Sequence, residues 1–199
     1  MERIAARIKH MAGYVVVLDK WLVLGALIGA VGGFVGSLFH IGVNYATSER
    51  LRYPWILYLL PLAGLVIVWL YKAAGVWGKG TNAVIESVHF GKDVPVQLVP
   101  VIFLATVLTH LCGGSAGREG AALQIGGSLG QNIAKLFRLD DKDMRLATLC
   151  GMSALFSALF GTPLTATIFA LEVISVGELY YAGLVPCLAS SLAAFAVTR

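Results

Sequence analysis

The longest uncharged run in this chain constrains its fold more than any other feature. From Trp21 to Ser48 there is no Lys, Arg, Asp or Glu. About 20 predominantly apolar residues are enough for a helix to cross the hydrocarbon core of a bilayer, and this run is longer. We therefore expect a tilted transmembrane helix here. Glycines recur along it at intervals of three or four, which predicts close packing of one helix face against another helix. They are Gly25, Gly29, Gly33 and Gly36.

The composition of the whole chain points the same way. Of its 199 residues, 58% are hydrophobic and 13% are charged, whereas soluble globular chains carry about 25% charged residues. So much apolar surface requires lipid as the solvent, so we expect an integral membrane protein. The net charge of +4 is modest, and the basic residues lie mainly at segment ends. That distribution suits anionic lipid headgroups and does not predict nucleic acid as a partner.

Apolar segments continue to the end of the chain and predict an all-α fold of about eight tilted, partly broken helices. Residues 1–20 mix charged and apolar side chains, as in an amphipathic segment on the cytoplasmic membrane surface, and residues 21–199 are expected to form the transmembrane part. Several of the later segments are too short to cross a bilayer alone. Such helices are tolerated where they are buried in protein or line a cavity, as in transporters. The segments are Pro54–Tyr71, Thr81–Phe90, Pro95–Cys112, Ala121–Leu136, Leu146–Leu171 with a break near Gly161, and Leu179–Thr198. Thr81 and Asn82 are plausible N-caps of the second segment, and Arg138–Arg145 is expected to be a charged connector.

One glycine-rich segment places two charges in apolar surroundings. Between Gly113 and Gly127 the chain carries Arg118 and Glu119. Glycines allow a sharp turn, and the helix that follows exposes its first N–H groups. Because a helix N-terminus attracts anions, the Glu119 carboxylate can occupy an anion site there and leave it when protonated. The alternative is that Glu119 caps the helix or pairs with Arg118, although adjacent residues do not face each other on a helix.

This segment resembles the signature of the CLC family of chloride channels and proton-coupled anion antiporters. Gly117-Arg118-Glu119-Gly120 matches the signature, and Gln124-Ile125-Gly126 follows at the expected distance, with Ala121 where a proline is usual. The resemblance implies that Glu119 is the gating glutamate, which competes with the anion in the pore and carries protons. The expected substrates are a halide anion and protons, with no cofactor or metal.

Two further motifs support the resemblance. Gly78-Lys79-Gly80-Thr81-Asn82 is similar to the first anion-binding loop of the family, with Thr81 in place of the usual serine, and Phe160–Leu164 with Ile168–Glu172 is similar to a later segment. Val173 stands where many antiporters have a second proton-accepting glutamate, so Glu172 is a secondary candidate. These departures resemble the fluoride-exporting branch, while chloride stays open. The implied anion-binding residues are Gly80, Thr81, Asn82, Gly117, Arg118 and Gly120.

The resemblance also implies partners and location. Family members contain two inverted halves, and this chain resembles the first half. It is expected to be a fragment, or a half-transporter that pairs with a second half-chain or forms a homo-oligomer, in a multi-pass arrangement in the inner membrane. An antiparallel homodimer is one hypothesis.

Two other functions remain as alternatives. A non-transporting subunit is consistent with the length. An intramembrane serine protease would use Ser153, in Gly151-Met152-Ser153-Ala154, with His110 as the base. This match is short, and the expectation is that the chain is not an enzyme.

Overall fold

The computed structural model describes residues 2–175, 177 and 180–199, with side chains from Gly13 onward. Within these ranges the chain is helical and contains no β-strand, which confirms the expected fold class. Two short 3₁₀ helices, Pro54–Leu59 and Tyr181–Gly183, directly precede the second and the last α-helix. The helices are α1 (Glu2–Arg52), α2 (Leu60–Ala73), α3 (Thr81–Phe90), α4 (Leu98–Leu111), α5 (Arg118–Leu136), α6 (Asp141–Phe160), α7 (Pro163–Glu172) and α8 (Leu184–Val197).

Three segments are long and apolar enough to cross a membrane, which together with the short apolar helices makes this a multi-pass membrane protein. They are Gly13–Arg52, Pro54–Ala73 and Asp141–Phe160. Only 6% of the apolar window in Pro54–Ala73 is buried, against 61% in Asp141–Phe160. The segment that contains α2 therefore lies at the periphery, and α6 lies in the interior, packed against α1, α5, α7 and α8.

The glycine stripe of α1 packs against α8, as its spacing predicts. A Cβ atom placed on Gly29 would lie 2.2 Å from the backbone oxygen of Ser190, and one on Gly33 would lie 2.8 Å from that of Ala194. Later glycines of α1 contact later residues of α8, so the two helices are parallel. Only glycine permits this approach of two backbones.

Side chains supply hydrogen-bond partners for backbone groups in the irregular loop between α3 and α4. The loop between α3 and α4 receives three hydrogen bonds from α5: Gln131 Oε1 accepts from the Val94 N–H (2.6 Å), Gln131 Nε2 donates to the Lys92 oxygen (2.9 Å), and Asn132 Nδ2 donates to the Val94 oxygen (3.0 Å). Val94 and Gln131 are buried, so water cannot supply these partners. The break between α6 and α7 falls where it was predicted, at Gly161 (φ 67°) just before Pro163.

Some boundaries differ from those expected. Helix α1 runs through residues 20 and 21 without a break in secondary structure. The amphipathic character expected for residues 1–20 falls mostly on side chains outside the described part of the chain. Helix α6 begins at Asp141, inside the segment expected to be a connector, because the Asp140 carboxylate accepts a hydrogen bond from the Asp143 N–H (2.8 Å) and caps the helix.

Basic side chains gather at one end of the helices. Lys20, just before the uncharged run of α1, pairs with Asp143 in the first turn of α6. Lys135, near the end of α5, pairs with Asp93. We call this the basic end, and it comprises Lys20, Lys92, Lys135, Arg138, Lys142 and Arg145. The opposite end comprises Arg50, Arg52 and Arg199, at the C-termini of α1 and α8.

Candidate functional site

The N-terminal turns of α3 and α5 lie side by side. Gln124 Nε2, on α5, donates hydrogen bonds to Thr81 Oγ1 on α3 and to the Gly120 oxygen, both at 3.0 Å. A Cβ atom on Gly120 would lie 3.5 Å from Thr81 Oγ1, so the two turns are in van der Waals contact. The structure thus brings together two motifs that are about 40 residues apart in the sequence.

Both helix ends are open. Gly80 precedes α3 and Gly117 precedes α5, each in an extended conformation, and neither end receives a side-chain cap. The predicted capping by Thr81 and Asn82 is wrong, because Gly80 occupies the N-cap position and Thr81 is already helical. The first N–H groups of a helix have no partner within it and carry a partial positive charge. Two such ends in contact favour an anion between them.

Glu119 is the second residue of α5, in the first turn as expected. Its carboxylate folds back over the N-cap, since a Cβ atom on Gly117 would lie 2.9 Å from Glu119 Oε2. Among the described residues it has no hydrogen bond or ion pair, and Arg118 does not pair with it. The side chain is exposed within this chain, whereas the apolar surroundings of the motif in the sequence predict burial.

Arg118 points instead to α1. Its Nη1 donates to Asn44 Oδ1 (3.3 Å), and Asn44 Nδ2 contacts His40 Nε2 (2.8 Å). Because arginine can only donate, the orientation of the Asn44 amide is set, and its Nδ2 must donate to an unprotonated His40 Nε2. Sequence reasoning missed Asn44. The sequence offered one indication of its role: Asn44 lies four residues, about one helical turn, after His40 within the uncharged run.

Lys79 adds a full positive charge near this site. It lies two residues before Thr81, between Gly78 and Gly80, and is partly buried. No ion pair neutralises it among the residues that the structure describes. A nearby cation strengthens the attraction of the two helix ends for an anion.

Glu172 does not reach the junction of α3 and α5. It ends α7, and its Oε1 accepts a hydrogen bond from the Gly177 N–H (2.8 Å). The chain just after it, at Ile174, contacts His89 near the C-terminus of α3. Helix α3 has 10 residues and is about 15 Å long at 1.5 Å per residue, so Glu172 lies roughly one helix length from Thr81.

The residues named for a protease do not meet. The Ser153 hydroxyl is buried and donates to the Cys187 oxygen on α8 (3.2 Å). His110 Nδ1 bonds to the Thr106 oxygen of its own helix (2.8 Å). Because Ser153 Oγ and His110 Nδ1 each bond to a backbone oxygen, the two side chains do not form the nucleophile–base pair that a serine protease requires. In the described part of the chain, no three His, Cys, Asp or Glu side chains are grouped as for a metal ion.

Comparison with known proteins places these features in a family. The family model described as voltage gated chloride channel matches residues 63–199. The chain is 38% identical to the chloride/fluoride channel protein of Pseudomonas syringae pv. tomato, over 89% of this chain and 40% of that protein. It is 28% identical to the H(+)/Cl(-) exchange transporter ClcA of Vibrio vulnificus, over 76% of this chain and 36% of that protein.

A solved structure agrees with the sequence comparison. The crystal structure of a CLC-type fluoride/proton antiporter superimposes with a TM-score of 0.86 at 32% identity, covering 91% of this chain and 46% of the antiporter. The chain therefore spans less than half the length of each of these relatives.

Proposed function

Because this chain belongs to the voltage-gated chloride channel family, we propose that it supplies one half of a halide pathway across the inner membrane, with Glu119 as the gate. A single observation carries the proposal. An unpaired carboxylate lies at the first turn of α5, where the open N-termini of α3 and α5 touch. Structural carboxylates in membranes are normally paired or hydrogen-bonded, so an unpaired one at an anion-attracting position is a functional group.

The anion would be held by N–H and O–H donors. The free N–H groups of α3 and α5 supply the positive field. Thr81 Oγ1 accepts from Gln124, which leaves its own O–H to donate to a halide. The positive charge of Lys79 raises the electrostatic potential along the path that an anion takes to this position. The anion-binding residues are proposed to be Gly80, Thr81, Asn82, Gly117, Arg118 and Gly120.

Gating follows from competition for one position. The ionised Glu119 carboxylate is attracted by the same helix ends as the halide, so the two anions exclude each other. Protonation removes the negative charge and weakens that attraction. The side chain then gives way to the halide, which links anion entry to the binding of a proton.

The identity of the halide is proposed from the relatives. The Pseudomonas syringae relative at 38% identity is named a chloride/fluoride channel protein, and the superimposed structure is of a fluoride/proton antiporter. The exchange transporter named for chloride is more distant, at 28%. We therefore propose fluoride as the preferred anion, moved in exchange for protons.

A second unit is proposed to complete the pathway. The chain spans less than half of its relatives, and Glu119 is exposed rather than enclosed. A second half-chain or a second copy would cover it. The same exposure favours a second candidate function, in which the chain is a subunit that does not transport until this partner binds.

Flux through liposomes tests the proposal. We expect wild-type protein to release trapped fluoride, followed with a fluoride electrode, and to move protons, followed with a pH electrode. Glu119→Gln mimics the protonated carboxyl group and is expected to uncouple protons from fluoride. Glu119→Ala removes the gate and is expected to leave the pathway open. Glu86→Gln is the matched control, because Glu86 is paired with Lys92 at the far end of α3.

The outcomes separate the two candidates. If Glu119→Gln and Glu119→Ala behave as wild type in flux and in proton coupling, Glu119 is not the gate. If wild-type chain alone gives no flux but gains it with the second half of a relative, the chain is a partner-dependent subunit. The Glu86→Gln control should match wild type throughout.

A further inference from the structure

A separate cleft, lined by both polar and apolar side chains, opens at the basic end, about one α3 length from Thr81. It measures about 310 Å³ and lies between the C-terminus of α3, the first turns of α6 and the segment after α7. This volume far exceeds the roughly 30 Å³ of one water molecule and would hold a phosphate group. Its lining residues are Val88, His89, Arg145, Leu149, Ile174, Ser175 and Tyr180.

Arg145 is the unusual residue of this cleft. Its Nε is buried and has no hydrogen-bond partner, the only such side-chain atom in the described part of the chain. Its guanidinium lies against the chain at Gly91, since a Cβ atom there would be 3.6 Å from Arg145 Nη2. Leaving a buried charged donor without a partner is unfavourable, because the group has lost its hydration and gained no hydrogen bond in exchange. A ligand that accepts hydrogen bonds would remove that cost.

Three acidic side chains on the neighbouring elements have partners other than Arg145, and among the described residues Asp141, one turn before Arg145 on α6, forms no ion pair with it either. Glu86 of α3 pairs with Lys92 (2.8 Å). Asp143 of α6 pairs with Lys20. Glu172 Oε1 accepts from the backbone N–H at Gly177 (2.8 Å). None of these three carboxylates forms an ion pair with Arg145, so its charge attracts an anion from outside.

His89 and Tyr180 complete the polar lining. The Ile174 oxygen can only accept, so His89 Nε2 donates to it at 2.7 Å. This bond fixes the imidazole at the wall of the cleft and leaves Nδ1 outside that contact. Tyr180 contributes a phenol. A guanidinium fork flanked by an imidazole and a hydroxyl suits the tetrahedral oxygens of a phosphate group better than a monatomic halide.

We propose that this cleft binds a phosphate group, either inorganic phosphate or the headgroup of a phospholipid. It lies at the ends of the membrane helices, on the side where basic residues gather, which is the level of phospholipid headgroups. The site is separate from the Glu119 region and involves none of the residues assigned to halide binding.

Two probes distinguish the sources of the phosphate. Thermal unfolding of the full chain in an uncharged detergent is followed while inorganic phosphate is titrated against chloride at equal ionic strength. Native mass spectrometry then measures binding of short-chain phosphatidic acid, with diacylglycerol as the blank. We expect saturable binding by wild type and about tenfold or greater weakening in Arg145→Gln. Lys142→Gln removes a charge that forms no ion pair among the described residues and lies outside the cleft, so it should stay within about twofold of wild type.

Arg145→Lys provides a second test in case Arg145→Gln folds poorly. Arg145→Lys retains the positive charge beside the C-terminus of α3 but loses the guanidinium fork, and we expect it to bind more weakly than wild type. Binding of inorganic phosphate supports a soluble ligand, and binding of phosphatidic acid alone supports a lipid. The proposal is overturned if neither probe binds, or if Arg145→Gln and Arg145→Lys bind as tightly as wild type.

Discussion

At the scale of single residues, the hydrogen bond from Gln124 to Thr81 orients the proposed halide site. It holds the N-termini of α3 and α5 together and directs the Thr81 proton away from Gln124. Thr81→Val keeps the shape of the side chain but removes both the acceptor and the donor. We expect the apparent affinity for fluoride to fall about fivefold, corresponding to about 1 kcal/mol for one hydrogen bond. Concentration-dependent flux measures this change.

Thr109→Val is the control for that substitution. The Thr109 hydroxyl donates to the Ala105 oxygen of its own helix (2.7 Å), away from α3 and α5. The control should transport with unchanged affinity. Equal affinity in Thr81→Val and wild type would mean that the Thr81 hydroxyl does not contact the anion.

Single residues also show where sequence reasoning succeeds and fails. Glu119 could be placed in a first helical turn because the glycines that precede it mark a helix start. Capping at Thr81 was wrong because Gly80, with no side chain, takes the N-cap position itself. The contact of Arg118 with Asn44 could not be foreseen, since the two are 74 residues apart and no local pattern connects them.

At the scale of helices, the tightest contact is that of α5 with α6. A Cβ atom on Gly151 of α6 would lie 2.0 Å from the backbone oxygen of Gly126 on α5. Gly151→Ala is therefore expected to force the two helices apart and to lower the free energy of unfolding by about 1–3 kcal/mol. Thermal or denaturant unfolding in detergent measures the loss.

Gly64→Ala is the matched control, because a Cβ atom on Gly64 of α2 would meet nothing within 4 Å. Its stability should stay within about 1 kcal/mol of wild type. An unchanged stability of Gly151→Ala would show that α5 and α6 are farther apart than described.

The two glycine contacts differ in how far the sequence predicts them. Gly29 belongs to a regular series along α1, so a packing face could be read from its spacing, although not that α8 would be the partner. Gly151 is isolated within α6, and a single glycine gives no periodic signal. Spacing identifies a face of one helix, whereas the partner is decided by how all the helices pack.

At the scale of the whole molecule, the ends of the helices determine orientation. The order of the helices could be predicted from the apolar runs, and the break between α6 and α7 from Gly161 and Pro163, because these signals lie within short stretches of the sequence. The gathering of Lys and Arg at the basic end could not be predicted, since it depends on which segments return to the same side of the membrane. Among the described side chains, Lys20, Lys92, Lys135, Arg138, Lys142 and Arg145 lie at the basic end, and Arg50, Arg52 and Arg199 lie at the opposite end. From the positive-inside rule we predict that the basic end faces the cytoplasm.

Cysteine labelling tests that orientation. The native Cys112, Cys150 and Cys187 are buried, at 3% exposure or less, and should not react. A membrane-impermeant maleimide added to intact spheroplasts is expected to label Arg52→Cys but not Lys142→Cys. After lysis both should be labelled, which shows that each introduced thiol is accessible.

The same measurement decides between the proposed partners. A fixed orientation cannot give an antiparallel homodimer, so a one-sided pattern favours a second half that is inserted with the opposite orientation. If both cysteines are labelled from outside in comparable amounts, the chain inserts both ways. The bias of basic residues would then be too weak to orient it, and two inverted copies could close the pathway around Glu119. Labelling of Lys142→Cys alone from outside would reverse the assignment of the basic end.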